Sequence, residues 1–153
     1  MTATRGSPTS TRTDVAAVLA LLLVPWSVQL YAGNVPTLLF AWGLVGLDPF
    51  VVTALPDFLF RYTAGLPQYL LAWPTSVLVY LLALGSAALG AVAGREDVRV
   101  TAGLLVAVGV LQASLAWGFS VQPGRAAAPL GTALCWAVAW WRYRSALGLG
   151  RRP

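Results

Sequence analysis

Residues able to do acid–base, nucleophilic or metal chemistry are few and scattered in this chain. Histidine is absent, Cys135 is the single cysteine, and the carboxylates are Asp14, Asp48, Asp57, Glu96 and Asp97. That inventory excludes an internal disulfide, a Cys/His zinc site and a His-ligated haem. Cys135 lies inside an apolar run with no neighbouring base, so it reads as a small packing residue and not a nucleophile. Glu96 and Asp97 are adjacent, but they sit between Arg95 and Arg99, the pattern of a charge-balanced turn. Asp57 and Arg61 are four apart and can pair on one helix face, beside Phe58, Phe60 and Tyr62. The residues therefore name no catalytic group, no cofactor and no metal ligand.

The elements that would position these residues are strongly apolar. The 153 residues are 58% hydrophobic and 10% charged, with a mean hydropathy of +0.74; soluble domains carry about 25% charged residues. Four uncharged stretches, Val15–Ala32, Leu66–Ala93, Val100–Val121 and Ala126–Trp141, are long enough to cross a hydrocarbon core, which takes roughly 20 residues, and set spans at about 15–32, 66–93, 100–121 and 126–143. The expected fold is an all-α membrane protein, a four-helix transmembrane bundle. Residues 1–13 read as a disordered cytoplasmic tail rich in Ser, Thr, Gly and Pro, Asp14 as the cap of the first helix, and 147–153 as a second tail. Pro25 should kink the first span. A cleaved signal peptide fits less well, because the apolar run continues past Trp26 to Leu30 and no A-x-A site follows.

Residues 33–65 break the pattern. Val35–Thr53 contains Gly43, Gly46, Asp48 and Pro49 within two β-branched and aromatic runs, which fits an extracellular β-hairpin better than a span. Leu55–Thr63 then reads as a short interfacial helix with Asp57 and Arg61 on its wet face. With both termini inside, eight arginines fall on the cytoplasmic side (5, 12, 95, 99, 142, 144, 151, 152) and two outside (61, 125). This satisfies the positive-inside rule and predicts a multi-pass plasma-membrane protein.

Trp26, Tyr31, Tyr69, Trp73, Trp117 and Phe119 would share one level in the outer half, either as an aromatic belt or as an outward pocket lined by Trp26, Trp73 and Trp117. In the pocket reading, Asp57 and Arg61 would grip a polar head group. Gln29, Asn34, Gln68, Thr75, Ser76, Gln112, Ser114 and Gln122 recur in the same layer, either as hydrogen-bonding groups between helices or as a polar pathway for a small uncharged solute. Ala83, Ala87 and Gly90 form a small-residue face suited to close helix packing, within the chain or against another membrane protein or second copy. Arginines confined to segment ends, with no basic stripe, exclude nucleic acid as a partner.

The stretch from Phe58-Leu-Phe-Arg-Tyr-Thr-Ala-Gly-Leu-Pro-Gln-Tyr to Val77-Leu-Val-Tyr-Leu-Leu-Ala-Leu84, with Pro25-Trp26, Gly43-Leu44-Val45 and the ending Ala139-Trp-Trp-Arg-Tyr143, resembles an uncharacterised family of small multi-pass membrane proteins from haloarchaea. The resemblance implies an archaeal plasma membrane and carries over no site residue. The function expected is a non-enzymatic accessory or interaction subunit in the lipid bilayer. The alternative is a binder or carrier of an apolar, lipid-like or small neutral molecule. An outer-surface enzyme built on Asp48 or Asp57 is the least supported reading.

Overall fold

A computed structural model describes residues 8–32, 35–61, 65–94 and 97–146. Its elements are α1 (Pro8–Ala20), β1 (Ser27–Leu30), β2 (Pro36–Leu39), β3 (Gly43–Leu47), β4 (Phe50–Ala54), α2 (Leu55–Phe60), a 3-10 turn (Gln68–Leu71), α3 (Ala72–Ala93), α4 (Val98–Ser120), β5 (Ala126–Ala128) and α5 (Leu130–Ala146). This corrects the expected all-α four-helix transmembrane bundle. A five-stranded antiparallel sheet in the order β4-β3-β2-β1-β5 is integral to the fold. Among the described residues, two helical stretches, Gln68–Ala93 and Val98–Ser120, are long and apolar enough to cross a membrane.

Pro25 accounts for the difference in the first segment. It supplies no amide donor and disfavours helix in the residue before it. The helix therefore ends at Ala20 rather than bending, and Ser27–Leu30 pairs as β1 with β2 and β5. The fourth segment is shortened in the same way: Ala126–Ala128 is an extended strand, and α5 begins only after Pro129. Hydropathy cannot separate such a strand from a helix, since both need apolar residues. The hairpin expected over 35–53 is three strands of the larger sheet. The Asp48–Pro49 bond in its β3–β4 turn is cis. Residues 8–13, expected as tail, belong to α1. The remaining tail residues 1–7 and 147–153, with Tyr62, Thr63, Arg95 and Glu96, lie outside the described residues.

The helices run back and forth, α3 packing on α1 and α4, and α4 on α5. The end of α1, the start of α3, the end of α4 and the start of α5 all meet the sheet. The opposite end carries the start of α1, the end of α3, the start of α4 and the end of α5. There Asp14, expected as a cap, instead faces the buried Arg142 at 3.7 Å. Asp97 caps α4, its Oδ1 accepting from the Arg99 amide at 2.9 Å. Ala83, Ala87 and Gly90 face inward and are buried, so the small-residue face is used for packing within the chain. Buried polar pairs tie the seams: Gln112 Nε2 donates to Ser76 Oγ (2.6 Å), and Thr132 Oγ1 to the Gly109 carbonyl (2.8 Å).

Trp26 is fully buried at the junction. Its indole N–H donates to the Leu21 carbonyl (2.8 Å), and its ring meets Tyr80 edge-on at 5.2 Å. Tyr80 in turn donates its hydroxyl to the Val18 carbonyl (2.6 Å), which also accepts from the Leu21 amide (3.2 Å) where α1 stops. Trp26→Ala is expected to destabilise the protein by about 3–5 kcal/mol, the usual range for an aromatic removed from a core. Trp117→Ala, at a position 75% exposed, should change stability by less than about 0.5 kcal/mol. Thermal unfolding of both variants under identical solution conditions checks the contrast.

Candidate functional site

The inner face of the sheet lies over the ends of α3 and α4. Alternation along β1 turns Ser27 and Gln29 inward, and the register places Leu39 opposite both Ser27 and Leu44 on that face. Leu39 packs with Trp73 and Leu115, and Phe58 of α2 closes one side with its ring 5.3 Å from that of Trp73. Trp73 is 1% exposed and donates its indole N–H to the Phe40 carbonyl at 3.0 Å, joining α3 to the sheet.

Between sheet and helices remains a cavity of about 70 Å³, walled by Leu39, Leu44, Phe58, Trp73, Leu115 and Phe119. Its polar lining comes from Gln29, Tyr31, Tyr69 and Arg125. Gly118 makes room for Tyr69, because a side chain at 118 would run into the Tyr69 Cβ. Gly124 has a φ of 70°, a left-handed conformation suited to glycine, and this turn brings Arg125 back over the cavity mouth. The guanidinium lies over the rings of Tyr31 (5.6 Å) and Phe119 (5.5 Å) and reaches the Tyr69 hydroxyl at 3.4 Å. Tyr31 and Phe119 themselves meet edge-on at 5.3 Å. Gln29 is 4% exposed, and its side-chain amide makes no hydrogen bond to another described residue.

Of the residues singled out in the sequence, the cavity contains Trp73. Trp26 is in the helical core, and Trp117 points away from the cavity into the surroundings. Asp57 and Arg61 form an exposed ion pair at 3.8 Å on α2, whose other side carries Phe58 into the cavity wall. Such a pair is worth little in stability. In the sequence Arg125 counts only as one of the two outer arginines; nothing in Ala126-Ala127-Ala128 announces the strand that folds it over the cavity. Tyr31, Tyr69, Phe119 and Gln29 were legible as members of one layer, but not as neighbours.

A second, largely apolar groove of about 290 Å³ runs along the side of the molecule between Leu22, Trp42, Leu55, Val77, Tyr80 and Leu81. The described residues contain no cluster of three His, Cys, Asp or Glu side chains that could hold a metal ion. The chain belongs to the family described as a domain of unknown function, DUF8050, whose model matches residues 1–151. No curated protein matches it.

Burial raises the Tyr31 pKa above its ordinary value, and the positive charge of Arg125 opposes that rise. The hydroxyl thus stays protonated near neutrality and is available as a donor. Replacing Arg125 by glutamine removes the opposing charge, so the Tyr31 pKa should climb further. Titration of ¹³Cζ-labelled tyrosine, assigned with Tyr31→Phe, checks the direction.

Proposed function

We propose that this protein is integral to a membrane, anchored by α3 and α4, and that it acts through interaction rather than covalent chemistry. The observation that carries the reading is the exposed apolar surface of its helices. On α3, Leu78, Leu81, Leu82, Leu89 and Val92 are exposed; on α4, Val106, Val110 and Trp117; on α5, Leu134, Trp136 and Trp140. Soluble monomers rarely expose continuous apolar surface of this extent. At about 1.5 Å per residue, the 22 residues of α3 and 23 of α4 match a hydrocarbon core of roughly 30 Å. Only 28% and 44% of their apolar windows are buried within the chain, unlike core helices of a soluble protein.

Charge placement supports an orientation. Among the described residues, Arg12, Arg99, Arg142 and Arg144 belong to the end opposite the sheet, and Arg61 and Arg125 to the sheet end. By the positive-inside rule the sheet faces outward and the termini inward, in a plasma membrane. The likeness to small haloarchaeal membrane proteins points the same way. The interaction reading draws on the carboxylates: Asp14 faces Arg142, Asp57 faces Arg61 and Asp97 caps α4. Outside the helices, Phe50, Val51 and Val52 are exposed on the edge strand β4, an apolar border open to a partner.

The test begins with alkaline carbonate extraction, which should leave the protein in the membrane pellet. In a Cys135→Ala background, cysteine at Asp48 should react with an impermeant thiol reagent in intact cells, and cysteine at Leu149 should not. Release by carbonate into a soluble oligomer would assign the apolar surface to self-association and end the membrane reading.

A further inference from the structure

The cavity beneath the sheet has chemistry that neither anchoring nor packing uses. We propose that it binds a small organic anion, whose carboxylate or phosphate group sits on Arg125 at the mouth while a short body enters against Gln29 and the aromatic walls.

The charge argument starts from Arg125. Among the described residues no carboxylate lies within ion-pair distance of it; the ion pairs there are Asp57–Arg61 and Asp14–Arg142. A guanidinium carries five N–H donors in one plane. Its Cζ lies 5.6 Å from the Tyr31 ring centre and 5.5 Å from that of Phe119, and Tyr69 engages one donor at a long 3.4 Å. The other donors remain for an acceptor from outside the described residues, and carboxylate and phosphate suit a guanidinium in bidentate geometry. Flanking aromatic rings hold the side chain in place and leave it less to lose on binding.

Gln29 is an independent observation. The residue is 4% exposed and lines the cavity, and its amide has no hydrogen-bond partner among the described residues, although side chains this buried ordinarily have one. It offers one acceptor and two donors to whatever enters. Arg125 precedes β5, where Ala127 pairs with Gln29, so strand pairing brings the two groups to one cavity. Size narrows the ligand. About 70 Å³ is roughly twice the liquid volume share of one water, so only a few heavy atoms enter and a longer chain must stay outside. The shared chemistry is therefore an anionic group with a short body, whether a free metabolite or the head of an anionic lipid.

This inference does not rest on the membrane reading, because it is tested on the full chain in detergent. Butyrate, butyl phosphate and the neutral butyramide are titrated by isothermal calorimetry in dodecyl maltoside. One of the two anions at least should bind, and butyramide about tenfold or more weaker, the size expected for loss of a charge-assisted pair. Arg125→Gln should weaken the anion by at least about tenfold, and Gln29→Leu by several-fold, with Arg61→Gln unchanged. Absence of anion binding, equal binding of butyramide, or equal loss in Arg61→Gln would overturn the proposal. Displacement of the bound anion by short-chain phosphatidylglycerol, but not phosphatidylcholine, identifies a lipid head group as the source. Retention against both identifies a free small anion.

Discussion

The structure turns on one residue at the point where α1 ends. Trp26 follows Pro25, which ends the preceding helix, and joins the end of that helix to β2, α3 and α5. Its backbone amide donates to Leu39 of β2 (2.6 Å), and its carbonyl accepts from Gly131 at the start of α5 (2.6 Å). Its indole nitrogen holds the last turn of α1, and its ring packs on Tyr80 of α3. A buried indole needs a partner for its single donor, and the Leu21 carbonyl, just past the end of α1, supplies it. The sheet is thus fixed to the helices by a break in a helix.

This arrangement explains where the sequence could be read and where it could not. Segments 66–93 and 100–121 were legible as helices because they are long, free of charge and bounded by Pro67 with Gln68 at one end and Pro123-Gly124 at the other. The extended character of residues 36–54 was legible from Gly43, Gly46 and Pro49 spaced too closely for a helix. What was missed was non-local. Ser27–Leu30 and Ala126–Ala128 become strands because each pairs with the other, and β1 also with β2; neither segment signals this on its own. The cavity suffered the same loss, since Arg125 reaches it only through that pairing. Hydropathy periodicity reports burial, and burial in a sheet that caps helices resembles burial in a helix.

The sorting of tryptophans divides the molecule into functional layers. Trp26 and Trp73 are buried and spend their N–H groups on backbone carbonyls of other elements. Trp117 and Trp140 are exposed on helices whose remaining outer residues are apolar. Trp42 lies between these extremes at the rim of the lateral groove, with its N–H on the Leu22 carbonyl at 3.1 Å. On the proposed membrane reading, a bilayer around the helices would cover this exposed set without a second protein. The sheet end, where aromatic side chains and Arg125 surround a cavity, is left as the surface with recognition chemistry.

The most direct test of this account is a measurement of what surrounds the outer face of α3. A spin label attached to cysteine at Leu82, in a Cys135→Ala background reconstituted into vesicles, reports its surroundings by power-saturation EPR. If α3 faces lipid, the label at 82 relaxes strongly with oxygen and weakly with a water-soluble nickel chelate, whereas a label at Asp48 shows the reverse. Strong nickel relaxation at both positions, or protection from both reagents at 82, would contradict the account.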